Sequence, residues 1–279
     1  MTIRIVAEIG INHNGNLDTT KKLIDISASA GCDYIKFQKR DLELCFTKKE
    51  MIKPKQSPWG TTYADYKKHL EFEEWQYNEI DEYCKTRKIK WFASPWDERS
   101  LAFLLQYYPE FIKVPSAKLT DEHFLRACRL AAKRYECKII ISLGMADQEL
   151  VEEAVNTVGL DVIHCIMHCV STYPSRSDEL NLNYIYTLKQ KYPKTIIGFS
   201  NHHPGLLGMA VAVAFGAEML EMHITLDRSM YGSDQAASIE PPGIFKIVKY
   251  CKEIELMRGS FDKKVVEGEV PIIKKLRRM

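Results

Sequence analysis

Two histidines close consecutive apolar runs near the C-terminus: His202 follows TIIGFSN (195–201) and His223 ends MLEMH (219–223). A neutral imidazole is a good ligand for divalent ions, and a strand fixes where it points. Two such residues on neighbouring strands can share one cavity and leave coordination positions open for substrate. Lys36 in YIKFQ, Lys113 in FIKVP and Glu8 in VAEIG add a second signal. Each is an ionisable side chain inside an apolar run, where a charge is costly unless paired. Serines recur near the ends of similar runs, at Ser94, Ser116, Ser142, Ser171 and Ser200, and Gln38, Lys118, Tyr173 and Asp234 occupy comparable positions. Hydroxyls and ammonium groups bind phosphate and carboxylate oxygens. The chemistry implied is Lewis-acid activation of a carbonyl beside a small phosphorylated molecule. Any one of these serines also reads as an ordinary turn residue; recurrence at run after run is what favours a site.

The runs that must position these groups are 3–10, 33–38, 89–94, 111–116, 138–144, 162–171, 195–200 and 219–225. Their near-continuous Val, Ile and Phe content suits strands buried on both faces, as in a parallel sheet. Helix signatures lie between them: 17–31 with Asp18 as its cap, 72–87, stretches opened by Asp97, Asp121 and Asp147, then 181–191, 204–216 and 241–259. Eight β-α units in a chain of 279 residues predict a single-domain α/β fold, a (β/α)8 TIM barrel over residues 1–265. A doubly wound sheet is the alternative, but the sequence has no GxGxxG or GxxxxGK[ST] loop. In a TIM barrel the polar residues at the strand ends fall on one rim. Residues 39–71, rich in aromatics, form the one long connection and are expected to be a lid or interface element.

Composition excludes other classes. With 39 basic and 37 acidic residues the net charge is +2, and no charged block suggests nucleic acid or a membrane surface. The basic tail 266–279 reads as a solvated terminus. The N-terminus enters a strand directly without a signal-peptide pattern, and no run is long enough to span a bilayer. Eight cysteines lack CxxC spacing and read as reduced, so a cytoplasmic location is expected.

The segments AEIGINHNG (7–15), YIKFQK (34–39), FASPW (92–96), IKVPSAK (112–118), ISLGM (141–145), MHCVSTYP (167–174), IIGFSNH (196–202), EMHITLDR (221–228) and GSDQAASIEP (232–241) fall in order along the chain. In these the sequence resembles the sialic acid synthase family, which condenses phosphoenolpyruvate with an aldose. The resemblance implies a divalent metal, manganese foremost with magnesium or cobalt as substitutes, on His202 and His223. It implies Lys36 and Ser94 for the carboxylate of phosphoenolpyruvate. Lys113, Ser116, Ser142 and Ser200 would take the phosphate, with Ser171 where the family often has asparagine. Glu8, Gln38, Tyr173 and Asp234 fall near the sugar, Glu8 as a proton-transfer or orienting carboxylate. The product would be a nonulosonate-type 2-keto-3-deoxy acid, and the assembly a homodimer. Two departures stand out. Lys118 replaces a usual acidic residue near the metal and sugar. The chain also stops at Met279, where longer members continue into an antifreeze-like domain. A condensing enzyme for a shorter aldose and an inactive sugar-binding barrel are the alternatives.

Overall fold

The computed structural model describes residues 3–277. Eight parallel strands close a barrel: β1 (Arg4–Gly10), β2 (Tyr34–Lys39), β3 (Lys90–Pro95), β4 (Phe111–Val114), β5 (Lys138–Ser142), β6 (Ile163–Cys169), β7 (Ile196–Asn201) and β8 (Met219–His223). Each strand pairs with its sequence neighbours, and β8 closes on β1. The helices α1 (Leu17–Ala30), α2 (Glu74–Thr86), α3 (Glu98–Leu105), α4 (Glu122–Arg134), α5 (Gln148–Val158), α6 (Asn183–Lys191), α7 (Leu207–Ala214) and α8 (Pro241–Arg258) follow their strands in turn. This is the TIM barrel that the alternation of runs predicts.

Alternation of side chains along each strand separates two cores. Outward residues such as Ile5, Ile35, Ile112, Ile139, Ile166, Ile197 and Leu220 pack under the helices. Inward residues Val6, Tyr34, Phe92, Phe111, Ile140, Cys165, Met167 and Met219 fill the barrel with apolar atoms. Two residues further along most of these strands the inward position turns polar: Glu8, Lys36, Ser94, Lys113, Ser142 and Glu221. The register holds them level, with Glu8 opposite both Lys36 and His223, and Glu221 opposite Ser200. The barrel is therefore plugged below by hydrocarbon and lined above by charge.

Local capping follows the sequence with two corrections. Asp97, Asp121 and Asp147 each accept a hydrogen bond from the backbone N–H three residues on, as N-caps do. The cap of α1 is Asn16, whose side chain accepts from Thr19 N at 2.8 Å; Asp18 lies inside the first turn. Several strands end earlier than the apolar runs suggest. Pro115 cannot extend β4, and Ser116–Lys118 forms one tight helical turn.

The 39–71 connection is ordered. It holds helices Leu42–Cys45, Lys48–Met51 and Tyr63–Leu70 and a small antiparallel pair, Pro54–Ser57 with Gly60–Thr62. Thr62 and Asp65 cap the last helix reciprocally. Gly60, at φ 151°, is required there because a Cβ would lie 2.4 Å from the Asp65 side chain. Trp59 stacks on His69 at 4.3 Å and meets Tyr231 edge-on at 5.5 Å, so the insertion is pinned to the loop after β8. Beyond α8 the chain is exposed and ends in helix Val270–Leu276. That helix carries Lys274 and Lys275 of the basic tail; Arg278 and Met279 lie outside the described residues. All eight cysteines are unpaired. Among the described residues no helix is long and apolar enough to cross a membrane.

Candidate active site

An open cavity of about 270 Å³ sits at the C-terminal end of the barrel. Its walls include Glu8, Lys36, Gln38, Ser94, Lys113, Ser116, Ser142, Ser171, Tyr173, Ser200, His202 and His223. Twelve residues singled out in the sequence, drawn from all eight strands or the loops that follow them, thus meet in one place. Two do not enter it. Lys118 points its ammonium at Asp121 Oδ2, 3.0 Å away, so its charge is neutralised locally. Asp234 stands behind His223, with Oδ2 3.6 Å from Nδ1.

Each buried lysine is held by a serine. Lys36 Nζ donates to Ser94 Oγ at 3.2 Å and Lys113 Nζ to Ser142 Oγ at 2.7 Å. Between the two ammonium groups stands Glu221, with Oε1 3.5 Å from Lys36 and Oε2 3.6 Å from Lys113. Glu8 Oε2 is 2.9 Å from Lys36, and Glu8 Oε1 accepts from Gln38 at 2.7 Å. Two carboxylates and two ammonium groups therefore cancel before any substrate enters. Burial pushes the Lys36 ammonium down, but Glu221 and Glu8 outweigh it and the pKa ends above the ordinary lysine value. Burial dominates at Lys113, where Glu221 only partly restores the charge and Lys36 opposes it. Glu221 is pushed up by burial and pulled down further by Lys113 and Lys36, ending well below the carboxylate range. Sequence reasoning missed Glu221. Its signal was the same as that of Glu8, an acid inside the apolar run MLEMH.

On the opposite wall Gly144 lets three loops approach. Its N–H donates to Ser116 Oγ at 3.0 Å, and a Cβ there would lie 2.1 Å from Ser171 Oγ. Two hydroxyls so converge on the cavity that Lys113 also lines, with the Gly144 N–H fixing Ser116 in place, a cradle suited to phosphate oxygens.

The imidazoles of His202 and His223 have ring centroids 5.4 Å apart. His202 Nδ1 lies 2.6 Å from the Val170 carbonyl, which can only accept, so Nδ1 carries a proton; burial lowers the His202 pKa, but Cys169 and the Val170 carbonyl outweigh it and hold it above the ordinary value. Nε2 is met by the Tyr173 hydroxyl at 2.8 Å. His223 is buried, its Nδ1 has no hydrogen-bond partner, and burial holds its pKa below the ordinary value. Two imidazoles facing one cavity, one with an unpartnered Nδ1 and one whose Nε2 meets only the Tyr173 hydroxyl, fit a divalent ion. Among the described residues no group of three or more His, Cys, Asp or Glu side chains is arranged as a metal cage. The protein would thus supply two ligands and leave the remaining positions open, as catalytic sites do.

Comparison with known proteins gives the family. The sequence matches the NeuB family over residues 23–263. It is 36% identical over 275 residues to human N-acetylneuraminate-9-phosphate synthase, covering 98% of this chain and 76% of that protein. It is 32% identical over 287 residues to N,N'-diacetyllegionaminic acid synthase of Legionella pneumophila, covering 100% and 79%. Among solved structures, the N-acetylneuraminic acid synthetase of Leptospira borgpetersenii, in complex with citrate, superimposes with a TM-score of 0.86 at 29% identity, over 100% of this chain and 94% of that one. Enzymes of this family are divalent-metal-dependent and use phosphoenolpyruvate and an aldose. The chain belongs to the NeuB family and is a phosphoenolpyruvate-dependent nonulosonic acid synthase.

Proposed function

We propose that this enzyme condenses phosphoenolpyruvate with an aldose of the N-acetylmannosamine kind, giving a nine-carbon 2-keto-3-deoxy sugar acid and inorganic phosphate. The observation that carries the assignment of groups is the pair of buried lysine–serine couples, Lys36–Ser94 and Lys113–Ser142, opening on one cavity. Phosphoenolpyruvate has two anionic ends. Lys36 and Ser94 suit its carboxylate. Lys113, Ser142 and Ser200, with Ser116 and Ser171 around Gly144, suit its phosphate. The names of the relatives, which make acetylated nonulosonates, support the choice of sugar.

His202 and His223 would hold the divalent ion, which when bound polarises the aldehyde of the sugar. Tyr173 and Gln38 line the sugar side, where Glu8 is placed to orient the aldehyde end and to exchange a proton with its oxygen. The methylene carbon of phosphoenolpyruvate forms the new bond to the aldehyde carbon, and the aldehyde oxygen takes up a proton. Water then adds at the former enol carbon, the carbon–oxygen bond to phosphate breaks, and phosphate leaves toward Lys113. Burial of the reacting ends strengthens each of these charge contacts.

The test is release of inorganic phosphate from phosphoenolpyruvate with manganese and a panel of aldoses. Release with a six-carbon N-acetylated aldose is expected, and Lys113→Met is expected to lower kcat/KM by at least about a hundredfold. Release only with shorter aldoses would move the reading to an octulosonate-type product, and release with no sugar would end it.

A further inference from the structure

Arg40, the first residue after β2, is buried beside the cavity, yet the condensation assigns it no task. Its backbone N–H donates to Glu71 Oε2 at 3.1 Å, and its Nη1 donates to Glu71 Oε1 at 3.3 Å. Its Nη2 donates to Gln38 Oε1. The guanidinium carbon lies 4.3 Å from the centre of the Trp96 ring, which is part of the cavity wall. Edge and face are both engaged, a placement that a planar fork allows and a lysine ammonium does not.

These contacts dictate the orientation of the Gln38 amide. Arginine only donates, and an ionised carboxylate only accepts. Gln38 Oε1 must therefore face Arg40, and Nε2 must face Glu8, to whose Oε1 it donates at 2.7 Å. The reversed amide would set donor against donor at one end and oxygen against oxygen at the other. A carbonyl polarised by a guanidinium also makes the N–H of the same amide a stronger donor. The Glu8 carboxylate is held at both oxygens, by Gln38 at Oε1 and by the Lys36 ammonium 2.9 Å from Oε2. Gly10 leaves the room: at φ 54° a Cβ would lie 3.0 Å from Glu8 Oε1 and 3.1 Å from Gln38 Nε2. At the other end of the chain of contacts, Glu71 closes the last helix of the insertion. Lys39 steadies it there, with Nζ 3.8 Å from Glu71 and donating to the Phe72 carbonyl at 2.7 Å.

We propose that Arg40 is a positioning residue for the aldose half of the reaction: it fixes the Gln38 amide, and through that amide the Glu8 carboxylate, in the orientation that meets the aldehyde end of the sugar. The inference rests on the condensation reading and adds to it a residue that acts through another. Because Glu71 holds the same guanidinium, the seating of the insertion is transmitted to Glu8.

The experiment measures phosphate release with manganese, varying the aldose at saturating phosphoenolpyruvate and then the reverse. Arg40→Met keeps a long side chain over Trp96 but donates nothing. It is expected to lower kcat about tenfold and to raise KM for the aldose severalfold, with KM for phosphoenolpyruvate within about twofold of the parent. Arg40→Lys, which can still donate to Gln38, should recover part of kcat. A double-mutant cycle with Gln38→Leu separates positioning from simple support. If Arg40 acts through Gln38, adding Arg40→Met to Gln38→Leu costs less than about twofold more. Full additivity marks a clamp that only steadies the insertion and overturns the proposal. Parental kinetics in Arg40→Met overturn it too, as does a KM for phosphoenolpyruvate raised as much as that for the aldose. If Arg40→Met does not fold, Arg40→Lys takes its place in the cycle, where its partial loss should be absorbed in the same way. If Gln38→Leu is inactive, the cycle is read from aldose binding by calorimetry in the presence of phosphoenolpyruvate and manganese, with the same criterion. An unaltered enzyme that turns over no aldose ends the condensation reading and the inference with it; turnover unmoved by Arg40→Met ends the inference alone.

Discussion

Glu221 decides the behaviour of both buried lysines. It lies within 3.6 Å of each ammonium and raises the pKa of each. Substitution of Glu221 by Gln keeps the shape and removes the charge, leaving Lys113 uncompensated and Lys36 with Glu8 alone. Breaking a buried ion pair from one side typically costs about 3–5 kcal/mol, so Glu221→Gln is expected to lower the unfolding midpoint. It is also expected to alter the pH profile in a stated direction. Phosphoenolpyruvate needs protonated lysines; without Glu221 they lose their protons at lower pH. The high-pH limb of kcat/KM for phosphoenolpyruvate therefore moves toward neutrality. A lowered midpoint with an unmoved limb would show that Glu221 supports the fold but not the charge of the site.

At the scale of elements, the barrel strands were legible and their junctions were not. Near-continuous apolar runs interrupted by one ionisable residue gave the strands and the inward polar layer together, because period-two alternation fixes which residues share a face. Lys36, Lys113 and Glu8 were visible since a lone charge in such a run demands a partner. Glu221 carries the same signal but stands between Leu220 and Met222 beside the more conspicuous His223. Lys118 was misplaced because the position after Pro115 is a tight turn, where spacing along the chain no longer sets direction. The aromatic-rich insertion was expected to be a lid or interface element, but the seating of Lys67 among the rings of Phe46, Tyr63 and Tyr66 depends on contacts that no periodicity encodes. The insertion is held to the loop after β8 mainly through Trp59, Tyr66, His69 and Tyr231. Each such aromatic contact is worth about 0.5–1.5 kcal/mol. Trp59→Ala is therefore expected to speed amide exchange in residues 53–66 and to raise KM for the aldose severalfold. Unchanged exchange across the hairpin would show that Trp59 does not pin it.

For the whole molecule, one consequence of the design is acid sensitivity. His13 in the loop after β1 is buried at 3% exposure, stacked on Phe72 at 4.1 Å, and accepts the Gly15 N–H on Nδ1 at 2.9 Å. That packing joins the β1 loop to the end of the insertion. Burial lowers its pKa to about 3, a hydrogen bond with Gly10 partly opposes this, and the charges of Arg40 and His69 lower it further. An unfolded histidine titrates near 6.5, so between about pH 6.5 and pH 3 the unfolded chain binds a proton that the native protein refuses. The stabilisation is complete above pH 6.5 and is lost as the pH falls toward the native value. At about 1.4 kcal/mol per pH unit, the fall from pH 7 to pH 5 removes roughly 2 kcal/mol through His13 alone. His164, His168 and His223, also lowered by burial, act in the same sense, and His202, whose pKa is raised by Cys169 against the cost of burial, acts in the opposite one. His13→Asn retains an acceptor for Gly15 and cannot titrate. It should start from a lower unfolding midpoint at pH 7 because the stack on Phe72 is lost, yet lose less stability between pH 7 and pH 5 than the parent. Denaturant melts at both pH values measure the difference, and parallel losses in the two proteins would show that His13 takes up its proton without unfolding the loop.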